Sequence, residues 1–222
     1  MSVIPILFED GEALVIDKPA GLPLDRPRAG GISLDNYLDT LKLGFQRPPA
    51  PVHRLDRDTS GCLLLARNPK ALKRFSAAFE ARLVEKTYLG LVAGEIAGEE
   101  GTIELSLSKI SSEADGWRMI AARKGKPAIT HWQRLAVKDG VTLVKFLPVT
   151  GRTHQIRIHA LAGLGFPLVG DPIYGKADRR VTRTMLHAAS LTVQRGEDKP
   201  PIVATAPLPA DFAILDFTAE DV

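Results

Sequence analysis

Leu72, Phe75, Phe79 and Leu83 recur at intervals of three and four, with Ala71 and Ala78 beside them. That is the period of one helical face. Asn68 is a good N-cap, and Pro69 suits the first helical position, where its missing N–H costs nothing. The spacing predicts the clearest helix of the chain. A second helix is predicted over about 153–162, capped by Thr153 and ended by Gly163 or Gly165. A short helix is predicted from the cap Ser33, with Leu34, Tyr37, Leu38 and Leu41 on one face and its end at Gly44.

Elsewhere the apolar positions come in short runs bounded by turn residues, which predicts strands. Ile4 to Phe8 and Ala13 to Ile16 flank the turn Glu9-Asp10-Gly11-Glu12, and Thr87 to Val92 follows the long helix. Further strands are predicted over 102–107, 117–122, 128–137, 141–147, 188–194 and 202–206. Asp139-Gly140 marks a hairpin between two of them. Cys62-Leu63-Leu64-Leu65-Ala66 is an unbroken apolar run suited to a buried strand. Many strands, few helices and no βαβ alternation predict an α+β fold with a mixed, largely antiparallel sheet and flanking helices.

The 222 residues suit one ordinary domain or two small ones, and 45% of them are hydrophobic. No repeat or low-complexity block appears. A single cysteine, Cys62, excludes an intramolecular disulfide, and no Cys/His spacing fits zinc. The start lacks a basic and apolar leader, and no apolar run nears the ~18 residues that span a bilayer. The expectation is a soluble cytoplasmic protein.

Net charge is only +3, but it is unevenly spread. Residues 1–50 carry five basic and seven acidic side chains, and residues 151–187 carry six and two. Residues 117–134 hold five basic residues and no acidic one, and the tail 211–222 is acidic. Basic charge gathered late in the chain suits a polyanion-binding face, or a solvated mixed surface.

Three clusters could carry chemistry. The first is His53-Arg54-Leu55-Asp56-Arg57-Asp58-Thr59-Ser60-Gly61, a polar loop entering the apolar run. It reads as a site, with Asp56 kept ionised by flanking guanidinium groups, or as a plain turn. The second is Gly151-Arg152-Thr153-His154-Gln155-Ile156-Arg157-Ile158-His159, where a helix start supplies free N–H donors. Its two histidines are five apart with no Glu between them, unlike a zinc helix. The third is the turn-rich Gly170-Asp171-Pro172-Ile173-Tyr174-Gly175, followed by Lys176, Arg179, Arg180 and Arg183, a phosphate-contacting loop or a solvated one.

In order along the chain, these clusters resemble the RluA family of pseudouridine synthases. His53–Gly61 is similar to the HRLDxxTSG signature, Lys86-Thr87-Tyr88 to a KTY segment, and 151–159 with 170–175 to the GRTHQIRxH…GDxxYG block. Leu186-His187-Ala188 and Val15 to Gly21 also fit, so the resemblance runs over about residues 5–212. It implies a single catalytic domain over 1–222, isomerising uridines of rRNA or tRNA without cofactor or metal. It implies Asp56 as the catalytic carboxylate, Tyr88 packed on a flipped-out base, and Arg157 paired with Asp56. Arg54, Ile158, His53, Arg152 and His154 are the implied substrate-binding residues.

Two departures stand out. No S4 RNA-binding domain precedes the catalytic segment, so RNA contacts are expected from the catalytic domain. Leu24-Asp25-Arg26 stands where many relatives carry a histidine-bearing turn. Two other functions remain open on sequence: a non-catalytic RNA-binding protein of the same fold, and a glycoside hydrolase. The latter needs two carboxylates about 5–10 Å apart, with Asp58 the nearest partner for Asp56.

Overall fold

The computed structural model describes residues 4–27, 29–112, 116–196 and 199–222. Strands β1 (Ile6–Glu9), β2 (Ala13–Lys18), β3 (Ala50–Pro51) and β4 (Ser60–Ala66) precede helix α1 (Pro69–Glu80). Then come β5 (Val84–Val92), β6 (Glu100–Ser112), β7 (Gly116–Ala121), β8 (Lys126–Lys138) and β9 (Val141–Pro148). Helix α2 (Gln155–Leu164) is followed by β10 (Leu186–Val193) and β11 (Ile202–Thr205). The chain divides into two compact units: residues 1–86 with 187–207, and residues 87–186 with 208–222.

In the first unit the strand order is β1-β2-β4-β10, with β3 on β4 and β11 on β10. Only β4 and β10 run parallel. All seven residues of β4 are buried, as expected of a strand covered on both faces. Ala71 and Phe75 of α1 pack on Val15, Leu64, Leu191, Val193 and Ile202. Cys62 lies in this core, where burial pushes its thiol up to about 12, so it packs as a small hydrophobe. Gly61 has φ +104°, and a Cβ there would collide with the Ala188 carbonyl of β10. Only glycine allows this approach.

In the second unit the order is β5-β9-β8-β6-β7, antiparallel throughout. Asp139 and Gly140 both have positive φ, as a two-residue hairpin turn requires. Ile156 and Ala160 of α2 join Val92, Val144, Phe146 and Leu168 in one cluster, and Ile158 joins Leu107, Met119 and Ala128 in another.

Three expectations need correction. Leu83 lies beyond α1 and is 65% exposed. Arg82 turns left-handed, and Leu83 N–H closes back on Ala78 C=O while Arg82 N–H bonds Phe79 C=O. This pair of bonds is the common helix stop, reached here without glycine. Thr153 does not cap α2; His154 does, in a left-handed conformation. The Gln155 side chain supplies the order instead, accepting from Arg152 N–H and the Thr150 hydroxyl and donating to Ile129 C=O and Thr130. The short helix after Ser33 is two separate 3₁₀ turns, 34–36 and 40–42. Further 3₁₀ turns at 210–215 and 219–221 had no forecast in the sequence.

Candidate functional site

The Asp56 loop is pinned within the first unit by a buried ammonium. Lys18 is fully buried, and its Nζ donates to the carbonyls of Pro19, Leu22 and Arg57 at 2.8–3.0 Å. Gly21 N–H also bonds Arg57 C=O at 3.0 Å. The Lys18–Leu22 loop therefore holds the peptide next to Asp56. The turn closes through Thr59 N–H to Asp56 C=O at 3.1 Å. Leu55 is buried beneath the turn, and Asp56 itself is half-buried.

The arginines that flank Asp56 in sequence pair with other carboxylates. Arg54, exposed, lies 3.2 Å from exposed Asp25. Arg57 binds Asp58 with two N–H groups, at 2.9 and 3.3 Å. Asp58 thus serves the turn rather than standing ready as a second acid.

His53 is built into the fold of the same loop. Its ring stacks on Phe79 of α1 at 4.5 Å, and Nε2 accepts Leu64 N–H at 3.1 Å. Burial, then the charge of Lys86, hold its pKa down at about 3. It is neutral at ordinary pH. Ser60 Oγ, at the start of β4, is 2.9 Å from Nδ1 of buried His187.

In the second unit, Tyr88 sits half-buried on β5 opposite Phe146 of β9, packed on the Val144–Phe146–Ile156 cluster. Arg157 of α2 is clamped by Asp171: Nε to Oδ2 and Nη2 to Oδ1, both 2.7 Å. Asp171 also accepts the N–H groups of Ile173 and Tyr174. Burial alone would raise its pKa, but the Arg157 hydrogen bonds and charge, with the two amides, outweigh it and hold the carboxyl low. The Arg157 guanidinium lies 5.0 Å from the Tyr174 ring centroid.

His154 Nδ1 is 2.8 Å from the Tyr174 hydroxyl, which accepts Met119 N–H at 3.0 Å. Arg152, half-buried, donates from Nε to Pro127 C=O at 3.1 Å. Ile158 is 3% exposed, inside the Leu107–Met119–Ala128 cluster. The first unit thus brings His53, Arg54 and Asp56 onto one loop, and the second gathers Arg152, His154, Arg157 and Ile158 around the start of α2. Among the described residues, the fully buried His159 has no partner on either ring nitrogen. Burial lowers its pKa to about 4.

Sequence reasoning missed Lys18 and Asp171 as supports. Both stand in recognisable segments, Lys18-Pro19-Ala20-Gly21 and Gly170-Asp171-Pro172, but only the fold shows which groups they hold. The basic run after Gly175 also divides. Arg183 is buried and bidentate to Asp211 at 2.6 and 2.8 Å, a structural pair. Arg180 is bound to Asp178, while Lys176 and Arg179 are exposed. Among the described residues, no three His, Cys, Asp or Glu side chains cluster to hold a metal, and no helix is long and apolar enough to cross a membrane.

A family model described as RNA pseudouridylate synthase matches residues 12–162. An uncharacterized RNA pseudouridine synthase of Zymomonas mobilis is 56% identical over 96% of this chain and 97% of its own. Ribosomal large subunit pseudouridine synthase D of Nitrosomonas europaea is 36% identical over 96% of this chain, which spans 64% of that protein. The solved structure of human RNA pseudouridylate synthase domain containing 1 superposes with a TM-score of 0.77 at 30% identity, covering 92% of this chain and 83% of that one. A second human structure, domain containing 4, shares the fold with a TM-score of 0.78 at 24% identity. The chain belongs to the RNA pseudouridine synthases of the RluA family, which are isomerases.

Proposed function

We propose that the chain isomerises specific uridines of ribosomal RNA to pseudouridine, with Asp56 as the catalytic carboxylate. The observation that carries this is the Asp56 turn. A half-buried carboxylate stands on a loop whose neighbouring peptide is anchored by the buried Lys18 ammonium and Gly21 N–H. The names of relatives, ribosomal large subunit pseudouridine synthases C and D, support ribosomal RNA as the substrate and a cytoplasmic enzyme. Transfer RNA is the other outcome of the same test.

The reaction breaks the N1–C1′ bond, turns the uracil, joins C5 to C1′ and removes the C5 proton. One carboxylate serves such a sequence as nucleophile or as base. The target base must leave its stack, at a cost of a few kcal/mol. Tyr88 is the aromatic partner proposed for that base, and Arg157 the cation proposed to pair with Asp56. Arg54, Arg152 and His154 are proposed to contact the RNA. His53 and Ile158 complete the binding set from positions fixed by their own packing. Both compact units are proposed to act as one catalytic domain, since the family match at 12–162 takes in residues of each. No metal or cofactor is assigned a step.

The test is pseudouridine mapping in cells lacking the protein, with rescue by the wild type and by Asp56→Asn. Sites that vanish and return only with the wild type support the reading. An unchanged pseudouridine map, or full rescue by Asp56→Asn, overturns it.

A further inference from the structure

The β6–β7 hairpin leaves a large aromatic ring in water. Trp117 is 45% exposed. The register pairs Lys109 with Met119 and Ser111 with Trp117. Residues two apart share a face, so Trp117 continues the face on which Leu107 and Met119 pack with Ile158 of α2. That places its ring against the helix start, stacked on His154 at 5.1 Å and 28°. The His154 ring meets Tyr174 edge-on at 5.6 Å, and Arg157 lies 5.0 Å over Tyr174. Trp117, His154, Tyr174 and Arg157 thus form one continuous row within the second unit.

The surroundings of Trp117 are cationic. The Lys109 ammonium is 4.8 Å from its ring centroid. Arg118 follows it on β7, and exposed Arg123, Lys124 and Lys126 lead into β8. Glu113 and Asp115 lie outside the described residues. An exposed, pre-positioned indole amid Lys and Arg has the chemistry of a single-strand platform: bases stack on aromatic faces while cations take the phosphates.

We infer that Trp117 is a stacking platform for an unpaired nucleobase neighbouring the target uridine, with Lys109 passing from the indole to that nucleotide's phosphate. The row of rings sets the reach. Each step is about one stacked ring, so a base on Trp117 belongs within a few nucleotides of whatever Arg157 serves. The inference rests on the reading of the chain as an enzyme acting on RNA, and it adds a residue outside the recognised motifs.

The test uses the only other tryptophan. Trp132→Phe leaves Trp117 as the sole indole, and Asp56→Asn prevents turnover. The double variant is titrated with the RNA heptamer AAAUAAA, and with an abasic heptamer of equal length and charge, while indole emission is followed. Saturable quenching by the heptamer, with none by the abasic strand, is the expected result. Trp117→Ala in the Asp56→Asn background should weaken heptamer binding roughly tenfold, the order expected for loss of one stacked base, and Trp117→Phe should restore most of it. Absence of saturable quenching up to millimolar heptamer overturns the inference. Equal quenching by the abasic strand, or by an acidic peptide, also overturns it, because charge rather than a base is then what the site reads. A Trp117→Ala protein that loses thermal stability but keeps heptamer affinity marks the ring as a packing wedge and overturns it too. Pseudouridine formation by the unsubstituted enzyme on cellular RNA reports separately on the function itself.

Discussion

Asp171 and Arg157 meet in a bidentate pair, both hydrogen bonds 2.7 Å long, with the carboxylate fully buried and the guanidinium nearly so. Removing the carboxylate takes a bidentate anionic partner from a buried guanidinium. Asp171→Ala should cost about 3–5 kcal/mol of stability, read by urea unfolding. Asp171→Asn keeps the shape but removes the charge that clamps the guanidinium, so turnover should fall further than RNA binding. The Asp171 carboxyl is held below its ordinary value. Its stabilisation is therefore present at neutral pH and lost only as pH falls through that lower folded value. The acid limb of the wild-type unfolding profile should be weaker in Asp171→Asn.

Asp56→Asn removes the charge at nearly constant volume. The expected protein is folded, binds RNA like the wild type and makes no detectable pseudouridine. Measurable turnover by the purified variant would remove Asp56 from the catalytic role.

His159 offers a pH test of the core. Its folded pKa is about 4, against 6.5 for a free imidazole. The unfolded chain gains a proton there that the folded chain refuses, so stability falls as pH drops from 6.5 towards 4, by about 3 kcal/mol in all at 1.36 kcal/mol per unit. His159→Leu should flatten this part of the pH–stability curve. His53, held at about 3 by burial and Lys86, supplies a second contribution that the variant leaves in place.

Chelation is the fourth test. Activity should survive prolonged EDTA on an RNA whose folding does not need magnesium. Loss on chelation and recovery on adding zinc would overturn the cofactor-free reading.

Salt dependence is the fifth. Lys176 and Arg179 are exposed, whereas Arg180 is bound to Asp178 and Arg183 to Asp211. Lys176→Glu with Arg179→Glu should weaken binding to long RNA. It should also lower the log–log salt slope by roughly 0.7 per lost phosphate contact on single-stranded RNA. Arg180→Glu alone should do less, because that side chain already has an anionic partner. Equal salt slopes for the double variant and the wild type would place the RNA elsewhere.

Periodicity made α1 and most strands legible, because a buried face forces spacing and the Asn68 and Asp139-Gly140 signals are local. The second helix was legible, but its cap was not. The left-handed His154 contacts Tyr174, and Gln155 bonds Ile129 and Thr130, partners far along the chain that local sequence does not reveal. The roles proposed for Asp56 and Arg157 rest on motif resemblance alone, since each stands among ordinary turn or helix residues. The roles of Lys18 and Asp171 were illegible. A buried lysine looks like any lysine until three carbonyls converge on it, and local order did not reveal that Arg157 meets Asp171. Sequence adjacency misled for Arg54 and Arg57, whose guanidinium groups turn to Asp25 and Asp58.

The interleaving of the two units sets a schedule for biogenesis. The first unit needs β10 and β11, which supply Leu191, Val193, Ile202 and Ala204 to the core around α1. These residues leave the ribosome only after residues 87–186 have been made. The second unit takes in the tail, where Asp211 meets Arg183 and Asp221 meets Lys138. The first unit therefore cannot close its core on a half-made chain. Nascent α1 and β4 stay exposed for the time it takes to add more than a hundred residues, and a chaperone has that whole interval in which to bind them. A chain stopped anywhere before about residue 190 should expose the core around α1 and behave as an insoluble fragment rather than a smaller folded protein.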